Sequence, residues 1–98
     1  MISKEDFIFT IGYQGDTAIV DGSAKKKYKN YSAKLLAEGG LFKSAICHAL
    51  YNEDEKEMEN VLGIYNSKTD NKISSAMELK KIFGVTQIPE GIEKVSII

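Results

Sequence analysis

A chain of 98 residues with 43% hydrophobic and 28% charged side chains is one ordinary globular domain, large enough to bury about 65% of its unfolded surface without disulfide or metal staples. Thirteen basic residues against 14 acidic ones leave a net charge of −1, and all 13 are lysine. The absence of arginine removes the planar fork that recognises phosphates and guanine edges, and the residue favoured at interface hot spots. AT-rich coding would produce the same lysine bias, but the chemical consequence holds in either case.

No apolar run approaches the roughly 20 residues of a membrane span, so no membrane partner is expected. The segment Met1 to Asp6 has neither the basic nor the apolar region of a signal peptide. Cys47 has no second cysteine to pair with, which points to a reducing, cytoplasmic setting.

The stretch from Phe7 to Asp21 holds two runs rich in β-branched and aromatic residues around a Gly-containing turn, the pattern of a β-hairpin. A two-residue turn at Gln14-Gly15 would put Phe9, Ile11, Tyr13, Ala18 and Val20 on one face, the better face for a core. A type I turn ending on a left-handed Gly15 would slip that register by one. Asp21-Gly22-Ser23 reads as a break, and Lys25-Lys26-Lys27-Tyr28-Lys29 as a charged connector.

Helical spacing begins after Ser32, a suitable N-cap. The Gly39-Gly40 pair divides it into a short helix over 32–38 and another over 41–51. Asp54 with Glu57 matches a capping box, and Met58, Val61, Leu62 and Tyr65 follow at i, i+3, i+4, i+7. The short link between these helices predicts an antiparallel helical hairpin. Asn52 and Asn66 both stand where a left-handed residue would close a helix.

Ser67 to Lys72 reads as the longest loop. Ser75 with Glu78 opens a further helix burying Ala76, Leu79, Ile82 and Phe83 and stopping at Gly84. Pro89 sits in a connector, and Glu93 to Ile98 reads as a final strand. The expectation is a single α+β domain over residues 1–98. It has an N-terminal hairpin, three to four helices, and a last strand completing a three-stranded sheet, because a lone hairpin is marginal in water.

Candidate chemistry is sparse. Cys47 and His48 are the only soft ligands, but neighbours on a helix point about 100° apart and do not converge on one metal. Gly12 to Asp16 and Asp21 to Ser23 lack the GxxxxGK[ST] pattern of a phosphate cradle, and turn chemistry accounts for them. No strand–turn–helix elbow aims a serine nucleophile. Glu78 to Thr86 looks like the first half of a helix-turn-helix, but Pro89 and Gly91 follow where the recognition helix should be. No cofactor and no catalytic activity are therefore expected.

Lys25, Lys26, Lys27 and Lys29, interleaved with Tyr28 and Tyr31, could follow a single strand of nucleic acid through charge and stacking. The acidic total and the run Glu53, Asp54, Glu55, Glu57 and Glu59 disfavour that reading, leaving a solvated connector. Phe7, Tyr13, Tyr28, Tyr31 and Tyr51 exceed what so small a core readily buries, and exposed aromatics favour interfaces. Ile97 and Ile98 belong either to the core or to a contact through exposed sheet edges. The functional expectation is a small interaction or regulatory module with a protein partner or a second copy. A nucleic-acid accessory protein and a small-ligand or enzymatic domain are the alternatives.

Overall fold

The computed structural model describes all 98 residues. It confirms the α+β class but contains six helices, two more than the sequence pattern allows. The first, α1 (Lys4–Ile8), occupies residues expected in the hairpin's leading strand. Ser3 caps it, its Oγ accepting from the Asp6 amide at 3.2 Å, and Phe7 and Ile8 are buried.

The hairpin is shorter than expected, with β1 (Thr10–Gln14) antiparallel to β2 (Thr17–Val20). Its two-residue turn is Gly15-Asp16, one position later than the pattern suggested, because Gln14 pairs with Thr17. Gly15 takes φ +61°, the left-handed value that primed hairpin turns require at their first central position. A bulge between Thr10 and Gly12 leaves Ile11 unpaired and 55% exposed, so the expected apolar face is broken. Ala18, Val20 and Phe9 are buried as expected, whereas Tyr13 is exposed. The irregularity turns Thr10 inward, where its hydroxyl donates to the Asp6 carbonyl at the end of α1.

Residues 22–28 form α2 (Gly22–Tyr28), a helix where a connector was expected. Asp21 does not break the chain but caps this helix, accepting from the Ala24 amide at 3.1 Å. Two helices then match their expected bounds: α3 (Ala33–Glu38), capped by Ser32, and α4 (Phe42–Tyr51). The fifth helix, α5 (Glu55–Thr69), is capped by Asp54 and runs past Asn66 through the first half of the expected loop. The left-handed residues are Glu53 and Asp70 rather than Asn52 and Asn66. The sixth helix, α6 (Ala76–Phe83), has Ser75 as cap and left-handed Gly84 as stop, but Ile82 points to solvent. Finally β3 (Lys94–Ile97) joins β2 in parallel, giving the order β1-β2-β3.

The core centres on α4, which packs against α1, α3 and α5. Fully buried Leu36, Ile46, Val61 and Leu79 fill it, and the small residues Ala45 and Ala49 allow close approach. On α5 the central residue is Val61, while Leu62 is only half-buried, so the apolar stripe is rotated by one position from its expected centre.

The expected helix end at Asn66 has another use. Its Oδ1 accepts from the Ile73 amide at 2.9 Å, and its Nδ2 donates to the Ile73 carbonyl at 3.0 Å. This pair of bonds closes the loop between α5 and α6. Asn66→Ala is expected to cost about 1–3 kcal/mol, because it leaves the backbone N–H and C=O of half-buried Ile73 without these partners. Denaturant melts with amide exchange at Ile73 measure it. Unchanged protection at Ile73 would show that the loop holds without the asparagine.

Candidate interaction surface

The charged segment predicted from sequence is distributed by α2 rather than presented as one strip. Lys25 turns inward, its Nζ donating to Asp6 Oδ1 at 2.7 Å and tying α2 to α1. Tyr28 packs against the core and meets Tyr31 edge-on at 5.1 Å, with the Lys27 ammonium 5.2 Å from the Tyr28 ring centre. Lys26, Lys27 and Lys29 are exposed and form no ion pair. Of the aromatic residues expected in excess of the core, Phe7 is fully inside and Tyr51 donates its hydroxyl to the Ile2 carbonyl at 3.0 Å.

Cys47 is buried on α4, and burial pushes its thiol up to about 12, against a smaller opposing effect of Lys43. A thiol in that state is neither a nucleophile nor a ready metal ligand. His48 points elsewhere, its Nδ1 lying 2.7 Å from Glu57 Oε1. Glu57 thereby braces α5 against α4 instead of returning to its own helix cap. No group of three or more His, Cys, Asp or Glu side chains is placed to hold a metal ion. A groove of about 320 Å³ between α4, α5 and α6 has Glu53, Asp54, Glu55 and Glu59 on its rim.

The surface with a distinct chemistry is β3. All four of its residues are exposed, Val95 at 40% and Ile97 at 59%, and the adjoining Ile98 is 69% exposed. Neither Ile97 nor Ile98 belongs to the core, which settles one half of the alternative posed by the sequence.

The ladder fixes where the backbone of β3 points. The Lys94 amide donates to the Asp16 carbonyl and the Ile98 amide to the Val20 carbonyl, while the Ile98 carbonyl accepts from the Gly22 amide. Since successive residues of a strand alternate in direction, Lys94, Ser96 and Ile98 face β2, and Val95 and Ile97 present their N–H and C=O groups to the open edge. Val95 and Ile97 pair with the buried residues Ala18 and Val20, so their side chains stand on the core-facing side of the sheet, beyond the helices that cover it.

The two edges of the sheet are treated differently. On β1 the bulge at Ile11 interrupts the ladder, a common way to blunt an edge. On β3 the pairing is regular over all four residues, no proline interrupts it, and Lys94 is its one charge.

Beside the end of β3 stands α2. A Cβ built on Gly22 would lie 2.6 Å from Ile97 Cγ2 and 3.0 Å from the Ile98 carbonyl oxygen, so only glycine lets helix and strand approach this closely. Lys26, four residues along from Gly22, rises from the same side of α2. Sequence reasoning singled out Lys26, Ile97 and Ile98 separately. What it missed was Gly22, and the signal was Asp21 read as an N-cap.

No helix is long and apolar enough to cross a membrane. No family model, curated protein or solved structure matches the chain.

Proposed function

We propose that this protein is a small protein-interaction module without catalytic activity, and that its contact element is the free edge of β3. The observation that carries this reading is a regular edge strand exposed at every position, with β-branched side chains and unpaired backbone groups side by side. Such an edge recognises an extended chain by main-chain hydrogen bonds and reads alternate side chains for specificity. Leaving the two isoleucines and the valine in water forgoes up to about 1.5–3 kcal/mol per side chain that a partner could recover. The lysines of α2 are then the charged flank of that surface rather than a nucleic-acid site, since Lys25 and Tyr28 are engaged within the fold. A reducing cytosol is the compartment we assign, supported by one free cysteine held inside.

A photo-crosslinking residue at Ser96, on the exposed strand, tests the reading in the cell of origin, with the same group at exposed Thr86 as control. The expected result is a discrete adduct with a protein at Ser96 that is lost when Val95→Pro is added. That change removes an outward N–H but no bond to β2. No adduct beyond that at Thr86, or one indifferent to Val95→Pro, would refute the reading.

A further inference from the structure

We propose that the groove between α4, α5 and α6 is a second docking surface, separate from the β3 edge, and that its occupant is a basic amphipathic helix of a partner protein. The groove has a volume of about 320 Å³ and an apolar floor of Ala49, Leu50, Met58 and Ala76. Ala49 and Met58 are buried, and Leu50 and Ala76 are half-buried. A space of this size takes a few apolar side chains, and the flexible thioether of Met58 adapts to their shape. Helices and the turn between α4 and α5 line it, with no strand edge, so an extended segment finds no ladder to join. A helix bonds its own backbone and brings apolar residues at i, i+3, i+4 and i+7 to one face, the form that fits an apolar groove.

Charge sets the sign of that partner. Four carboxylates, Glu53, Asp54, Glu55 and Glu59, line the groove against one ammonium, Lys80, and none of the five has an ion-pair partner. The start of α5 explains only part of this. Asp54 caps the helix, and Glu55 lies in its first turn, where a carboxylate meets the positive end of the helix dipole. Glu57, the other carboxylate of that turn, is taken up by His48. Glu59 lies beyond the turn, where the dipole has faded. Glu53 holds φ +52°, a conformation that glycine or asparagine adopts with less strain, so the local backbone argues against glutamate there. What Glu53 and Glu59 add is negative charge beside an apolar floor. Its complement is a lysine or arginine beside an apolar anchor.

Titration of the isotope-labelled full chain with a synthetic helix tests the proposal. The probe is a peptide of about 14 residues built from leucine and lysine, its leucines at i, i+3, i+4 and i+7. One control has the same composition with the leucines scattered, and the other replaces lysine by glutamate. The probe should bind with Kd on the order of 10⁻⁵–10⁻⁴ M, and both controls about tenfold or more weaker. Amide shifts should centre on Leu50, Met58 and Ala76. Ala76→Leu, which fills the groove without changing charge, should weaken binding about tenfold, and Glu59→Lys about fivefold. Glu53→Gly should weaken it about threefold yet leave the fold at least as stable in urea, because strain leaves with the charge. Lys80→Gln, which removes the one opposing charge, should tighten it about twofold.

The proposal is overturned by no binding up to about 10⁻³ M, by equal binding of the scattered control, or by shifts that spread over the surface or fall on β3. An affinity indifferent to both Ala76→Leu and Glu59→Lys overturns it as well. Groove shifts produced by spermidine but not by the probe would make the occupant a small polyamine. Groove shifts that grow with protein concentration in the absence of peptide would make it a second copy. Either result refutes the helix.

Discussion

Ile46→Ala is expected to lower the unfolding free energy by about 2–5 kcal/mol, a large share of the roughly 5–15 kcal/mol available to a domain. Ile46 is fully buried on α4, the helix that touches α1, α3 and α5. Its neighbours on that helix limit repair of the cavity. Ala45 and Ala49 have no side-chain freedom with which to fill it, and Cys47 is itself packed. Glu59→Ala, on the exposed side of α5, should stay within about 0.5 kcal/mol. Urea melts of the two variants beside the parent measure both. An Ile46→Ala cost below about 1 kcal/mol would mean that α4 is not the centre of the core. The loss should be global rather than confined to the β3 edge, because α4 lies in the helical layer and β3 covers none of the core.

The parts of this fold legible in the sequence are those with a local punctuation mark. Ser32, Asp54 and Ser75 each cap the helix expected of them, and Gly84 ends α6 with left-handed φ. The two unforeseen helices carry such marks too. Ser3 stands three residues before Asp6, the capping pattern, but the aromatic run from Phe7 to Phe9 resembles a strand more strongly than five residues resemble a helix. Asp21 is a good N-cap, yet Asp-Gly-Ser is also good turn chemistry, and the choice depends on a tertiary fact. Gly22 is glycine because a strand from the far end of the chain passes against it.

The parallel pairing of β3 with β2 was equally out of reach, since four residues give a strand but not its neighbour or direction. The hairpin register failed for a related reason. A bulge adds one residue that alternation cannot count, and it moved Ile11 out and Thr10 in. For the candidate surface, the isoleucines and lysines were visible as residue types. Their convergence beside one edge was not, because it depends on α2 and β3, between which four further helices intervene in the chain and whose approach no local pattern announces.

Stability should also fall steeply in alkali, and the cause should be traceable to one atom. The Cys47 thiol, ordinarily ionising near 9.0, does so near 12 in the folded protein because burial disfavours the thiolate. Between those values the folded state holds a proton that the unfolded state has released. The stabilisation is therefore complete below about pH 9 and is lost as pH rises toward about 12. The loss approaches tenfold in the folding equilibrium per pH unit, on the order of 4 kcal/mol across the whole gap.

Alkali acts on more than one side chain, so the comparison that isolates the thiol is Cys47→Ala. This variant should be less stable by about 1 kcal/mol at neutral pH, through the small cavity left by sulfur. It should then lose less stability than the parent as the pH is raised, so the two curves converge and cross. Tyr13 contributes in the same direction: although 46% of it is exposed, the partial cover of its phenol raises it first and the charge of a Cys47 thiolate second, and the substitution removes that second cause. A thiol reagent gives an independent reading: slow labelling of the native protein near neutral pH and rapid labelling in denaturant. Rapid native labelling, or alkaline limbs that stay parallel in the two proteins, would show that water reaches Cys47 through the small cavity that it lines with Phe7, Thr10, Tyr13 and Val85.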